Sequence, residues 1–182
     1  MNKTVAGVAL GALAGIGLTA YIRRRNEDNY PPLPVARYVD LNKYVGEWYE
    51  IARMPAPFEK ECYATKANYT LTEDGTVHIL NTCHKQSPEG RLKKATAKAV
   101  VADPVSNAKL KVQFFWPFTG DYWILDVGEQ YEYAIVGEPS RKYLWILSRT
   151  PQLDKSLLDR LLQKAKEQGF NVDKMIHTRH FS

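Results

Sequence analysis

Cysteine is scarce: Cys62 and Cys83 are the only two in 182 residues. Two thiols cannot build a disulfide-dense scaffold or a four-cysteine zinc site. The 11 glycines and 10 prolines are too few for a collagen-like or low-complexity chain. Charge of one sign is also scarce. The net charge is +5, and no stretch clusters Lys and Arg densely enough to track phosphates, so no nucleic-acid partner is expected. Nucleophile elbows, phosphate-binding glycine loops and zinc-protease helix motifs are missing. No nucleophile is spaced against a base. The chain therefore reads as a non-enzyme, with no catalytic residue, metal ligand or cofactor assigned.

One long uncharged run is present. Thr4 to Ile22 carries no charge, Lys3 precedes it and Arg23-Arg24-Arg25 follows. Such a run is long enough to span a bilayer as a helix, and it also fits a signal peptide. Residues 1–25 are thus expected to be a membrane anchor or signal segment. The arginines and Lys3 pull the topology in opposite directions. Polar, proline-containing residues 26–35 read as a linker, and 36–182 as one folded domain.

In that domain the dominant hydrophobic period is two, and 11 tyrosines and 4 tryptophans lean towards strands. Alternating runs 66–71 and 76–80 flank Asp74-Gly75, a strong hairpin signal. Further strands are expected near 92–102, 108–116, 120–128, 131–137 and 142–149. With 46–54 they make eight, joined by short links, which indicates an antiparallel up-and-down barrel or a sandwich. One helix follows, capped by Thr150, with Pro151 in its first turn and Gly169 as its stop. Its apolar face is Leu153, Leu157, Leu158, Leu161, Leu162 and Ala165, which needs the outer wall of the barrel as its partner. A short ninth strand is expected near 174–179.

Pleat parity sorts the strands into faces. Leu110, Val112, Phe114 and Trp116 share one side of their strand. Ala95, Ala97, Ala99 and Val101 share one side of theirs. Ala67, Tyr69 and Leu71 would face Val77 and Ile79 across the first hairpin. Three alanines in succession on an inner face leave room, and an eight-stranded barrel is just wide enough for a small ligand. The alternative is an interior filled by its own side chains. Replacing Ala97 with Trp separates the two, since it blocks binding only if the cavity exists.

Cys62 and Cys83 flank that hairpin. In perfect register Cys83 falls nearer Lys66, and a bulge or twist would be needed to bring the two within bonding reach. They are candidates for a disulfide, with free thiols as the alternative. His177 and His180, three apart, point to opposite faces of a strand and read as exposed surface residues rather than ligands. Glu50 has inward parity with Trp48 and is read as structural.

Three ordered segments then carry a resemblance. Gly46-Glu47-Trp48-Tyr49-Glu50-Ile51-Ala52-Arg53 resembles the Gly-x-Trp signature of the lipocalins. Tyr131 stands where the family has its Asp-Tyr turn, with Gln130 in place of the aspartate. Tyr143-Leu144-Trp145-Ile146-Leu147-Ser148-Arg149-Thr150-Pro151 is similar to the third signature. Gly137-Glu138-Pro139-Ser140-Arg141 and Gly120-Asp121-Tyr122-Trp123-Ile124-Leu125 are similar to the branch of bacterial and temperature-induced lipocalins and apolipoprotein D. The resemblance covers about residues 36–180 and implies an eight-stranded barrel with a helix outside. It implies that Arg149 packs on Trp48, next to Gly46, closing the base.

The resemblance also implies a lipid carrier of the bacterial envelope, at the outer membrane or in the periplasm, holding fatty acids or lysophospholipids. The wall would be Ala67, Tyr69, Val77, Ile79, Ala95, Ala97, Ala99, Leu110, Val112, Phe114, Tyr143 and Trp145. Read from the residues themselves, the aromatic tip with Trp116 and Phe118 is expected either to form a lip that touches membrane or to pack across the cavity mouth. A homodimer stays open. The departure from the branch is the missing lipobox cysteine, since none precedes Cys62. Two other readings remain: an enzyme of this fold acting on a bound lipid through Cys83, and a filled barrel whose partner is a protein.

Overall fold

The computed structural model describes residues 30–115 and 118–180, with side chains for all of these except 114, 115 and 118. The expected membrane segment 1–25 lies outside the described residues, as do Trp116 and the side chains of Phe114 and Phe118. Among the described residues no helix is long and apolar enough to cross a membrane.

A single turn of helix, α1 (Leu41–Tyr44), precedes the sheet, and the Asp40 carboxylate caps it by accepting from the Asn42 N–H. Eight strands follow: β1 (Gly46–Arg53), β2 (Cys62–Leu71), β3 (Val77–Lys85), β4 (Leu92–Val101), β5 (Lys109–Phe115), β6 (Phe118–Val127), β7 (Tyr133–Gly137) and β8 (Leu144–Ser148). Each pairs antiparallel with the next, β8 pairs with β1, and β1 pairs with β2. The sheet is a closed up-and-down barrel, which removes the free edges that an open sheet would present. The first hairpin is looser than a two-residue Asp-Gly turn. Leu71 faces Val77, and Thr72 to Thr76 form the loop. The Asp74 carboxylate accepts from the Thr76 N–H and the Thr72 hydroxyl, and Gly75 takes φ +79°.

Two apolar layers result from the pleat. The inner one includes Trp48, Tyr69, Val77, Ile79, Ala97, Ala99, Leu110, Val112 and Leu147. The outer one joins Ile51, Trp123, Leu125, Ile135, Leu144 and Ile146 to Leu161 and Ala165 of the helix α2 (Lys155–Glu167) and to Phe170 just beyond it. Gly137 permits this contact, because a Cβ there would lie 2.7 Å from the Phe170 ring. The helix begins later than Thr150 and Pro151. The Thr150 hydroxyl is spent on the Gln152 carbonyl, and the Asp154 carboxylate caps by accepting from the Leu157 N–H. An ionised cap is well placed at the positive end of a helix. Gly169, at φ +91°, ends it.

The domain boundary also shifts. Leu33, placed in the linker by composition, is buried in the outer layer. At the far end β9 (Ile176–His177) pairs with Ala52 and Arg53 of β1. The Thr178 N–H donates to the Ile51 carbonyl, and the Ala64 N–H of β2 donates to the Arg179 carbonyl. The C-terminal segment thus fills the gap where β2 leaves the edge of β1.

Candidate ligand cavity

The base comes first, because it fixes which end is open. Gly46 takes φ +96°, and a Cβ there would stand 3.4 Å from Arg149 Nη1. The positive φ is what calls for glycine here. Trp48 is fully buried and donates its indole N–H to the Tyr44 carbonyl at 2.7 Å. The Arg149 guanidinium lies 3.8 Å over the Trp48 ring. It also donates to the carbonyls of Lys43, Tyr44, Val45, Glu47 and Tyr131. Tyr131 adds a second tie, its hydroxyl accepting from the Asp40 N–H at 2.8 Å.

Above this plug the interior holds a cavity of about 520 Å³. Of the residues assigned to its wall, Ala67, Tyr69, Ile79, Ala95, Val112 and Trp145 line it. Val77, Ala97, Ala99 and Leu110 do not. They are buried with Trp48 in the packed lower half. Register explains the division. Val77 pairs with Ala99 at the base end of β3 and β4, whereas Cys83 pairs with Lys93 at the other end. Parity gives a side chain's face but not its height along the barrel. Tyr143 falls before β8, stacks on Trp145 and packs at a tilt against Phe58, and is not among the residues lining the cavity.

Several lining residues escaped the sequence reading. Thr65 and Asn81 continue the inward parity of Ala67 and Ile79, so a longer β2 and β3 would have found them. Glu59 comes from the β1–β2 loop, where no periodicity exists to read. Together with Lys93, these polar groups stand at the mouth, where the lining residues Phe58, Lys93 and Ala95 are exposed. Thr65 Oγ1 is buried and has no hydrogen-bond partner.

An ionic cluster braces one side of the cavity. Arg53 Nε lies 3.0 Å from Glu59 Oε2 and 3.3 Å from Glu50 Oε1. The Trp145 indole N–H donates to Glu59 Oε1 at 3.1 Å. The Thr178 hydroxyl donates to Glu50 Oε1. Burial, reinforced by the neighbouring Glu59 carboxylate, pushes the Glu50 carboxyl well above the ordinary carboxylate range. His180 is not the surface residue its sequence position indicates. It is half-buried, edge-on to Tyr49, with Nε2 donating to the Glu50 carbonyl at 2.7 Å. Burial lowers its pKa and keeps it neutral.

Cys62 and Cys83 are joined by a disulfide with Cα atoms 5.4 Å apart. The register of β2 on β3 shifts between Tyr63 and Lys66, where Ala64 adopts φ +47°, and this bulge brings Cys62 towards Cys83. Cys83 lines the cavity, but its sulfur is committed to that bond. Among the described residues no group of His, Cys, Asp and Glu is arranged to hold a metal ion.

Comparison with known proteins places this architecture. Residues 39–180 match the model of the lipocalin-like domain. Temperature-induced lipocalin-1 of Arabidopsis thaliana is 41% identical over 155 residues, 80% of this chain and 82% of that protein. Outer membrane lipoprotein Blc of Vibrio cholerae is 37% identical over 145 residues, 79% and 84% of the two chains. Apolipoprotein D of Mus musculus is 35% identical over 180 residues, 93% and 92%. Among solved structures, insecticyanin from the tobacco hornworm Manduca sexta superposes with a TM-score of 0.67 at 22% identity, covering 84% and 86%. The last likeness concerns the fold alone. The family match supports binding or transport of a small hydrophobic ligand in the barrel. On these grounds the chain belongs to the lipocalin family.

Proposed function

We propose that the protein carries a single-chain amphiphile, a fatty acid or a lysophospholipid, with its chain in the cavity and its headgroup at the mouth. The observation that carries this reading is the cavity itself. It occupies about 520 Å³ above a sealed base, with Ala67, Ile79, Ala95, Val112 and Leu147 in its wall. Each methylene moved from water into such a wall contributes about 0.8 kcal/mol. A long chain therefore reaches micromolar affinity after the costs of association. At the mouth, Lys93 supplies a cation for a carboxylate or phosphate, and Thr65 and Asn81 supply hydrogen bonds. The site of action would be the cell envelope, in keeping with relatives named as outer membrane lipoproteins. Attachment there would fall to the uncharged run 4–22.

Native mass spectrometry of the full chain from its host, with lipid extraction of any adduct, tests this. The expected result is an adduct with the mass of a fatty acid or lysophospholipid. A clean apo mass, with no quenching of tryptophan fluorescence by added fatty acids, overturns it. Trp145 in the cavity wall makes that fluorescence a direct readout.

A further inference from the structure

Three phenols meet at the cavity floor. Tyr44, from α1, places its hydroxyl 2.7 Å from that of Tyr122, and Tyr69 places its own 2.9 Å from the same oxygen. Tyr69 and Tyr122 line the cavity, while Tyr44 lies beneath, against Trp48. Three hydroxyls bring three protons, and two contacts between them use only two. Whichever way the protons are arranged, one O–H of the triad has no acceptor within it. No other side chain or carbonyl hydrogen-bonds these hydroxyls among the described residues. A buried donor without an acceptor costs about 1–3 kcal/mol, so the cavity must supply one.

The charge of that acceptor is also constrained. Burial pushes the Tyr69 pKa up to about 12 and those of Tyr44 and Tyr122 higher than usual, so all three remain donors. The Arg149 guanidinium, which acts electrostatically on Tyr44 and Tyr69, is spent on backbone carbonyls and the Trp48 face, Lys66 is paired with Glu47, and Lys93 stands at the mouth. A carboxylate at the floor would be buried with one hydrogen bond and no free counter-ion, which is costly. We infer that the tyrosine triad is a subsite for a neutral oxygen, a ketone, ester carbonyl or hydroxyl, carried on the part of the lipid that sits deepest. The inference rests on the proposed acyl-chain ligand and adds that an oxygenated chain is preferred at one position.

The test uses stearic acid and a series of oxostearic acids differing only in the position of the ketone, titrated against the full chain. The wild-type protein is expected to favour one positional isomer. The ratio of its affinity to that of stearic acid is expected to fall about three- to tenfold in Tyr69→Phe/Tyr122→Phe, the effect of one net hydrogen bond. Tyr44→Phe leaves two cavity phenols and one spare proton, so it is expected to keep the preference. An independent readout needs no variant. The infrared stretch of a 13C-labelled ketone bound to the wild-type protein is expected to shift to lower frequency than in hydrocarbon. Equal ratios in wild type and double variant, or an unshifted carbonyl, overturn the subsite and leave the carrier reading standing. Failure of every chain to bind overturns both.

Discussion

Arg149 shows how much one side chain can hold. Its planar fork reaches carbonyls on both sides of Gly46 and covers Trp48 at once. Lysine offers a point charge and cannot reproduce that geometry. Arg149→Lys is expected to lower the unfolding free energy by about 1–3 kcal/mol. Arg149→Ala should lower it further, as measured by urea titration at unchanged m-value. Glu50 makes the opposite case. Its folded pKa is raised by burial and by Glu59, so the native state holds a proton that the unfolded chain releases. Its stabilising contribution is full below the ordinary carboxyl range and is lost as pH rises through the raised value. Glu50→Gln keeps an acceptor for Thr178 and removes the charge. Urea midpoints between pH 5 and 9 are expected to fall less with pH in this variant than in wild type. A parallel pH dependence in the two proteins would contradict this account.

Among the elements, β4 carries a gradient. Lys93 and Ala95 stand exposed at the mouth, and Ala97 and Ala99 are buried beside the base. The same substitution therefore has two outcomes on one strand. Ala95→Trp is expected to fill the cavity and abolish quenching by fatty acids while preserving the thermal midpoint. Ala97→Trp forces a ring into packed space and is expected to cost about 1–3 kcal/mol or more, so it reports on packing before it reports on ligand. This gradient was not legible in the sequence, because alternation repeats identically along a strand. The polar mouth was hidden for a related reason. Glu59 lies on a loop, and Thr65 precedes the point where alternation in β2 becomes visible, since the bulge at Ala64 breaks it. The Cys62–Cys83 link across that bulge closes a segment with a sequence separation of 21. Its reduction is expected to destabilise the barrel by about 3 kcal/mol on chain-entropy grounds, checked by melting with and without a thiol reductant.

For the whole molecule, the barrel and its outer helix were legible because period-two runs, turn residues and an amphipathic helix all indicate one architecture. The closing contacts were less so. Nothing local in Thr178 or His180 marks them as neighbours of Glu50, since the relation spans about 130 positions and depends on barrel closure. Binding should feed back on the whole fold by mass action. An amphiphile at a hundred times its dissociation constant is expected to add about 2.7 kcal/mol, seen as a thermal midpoint that climbs with lipid concentration.

The strip formed by residues 176–180, lying between β1 and β2, has a consequence in time. The first strand of the barrel can meet β2 early, but its pairing with β8 and with this segment must await residues about a hundred positions further along. Until then the edge of β1 that β8 takes is open, and the rim beside Glu50 is unfinished. Such long-range pairing folds slowly, on the millisecond-to-second scale. The rim of the cavity beside Glu50 is thus completed by a segment about 130 residues away in sequence, and the barrel cannot close before that segment is available.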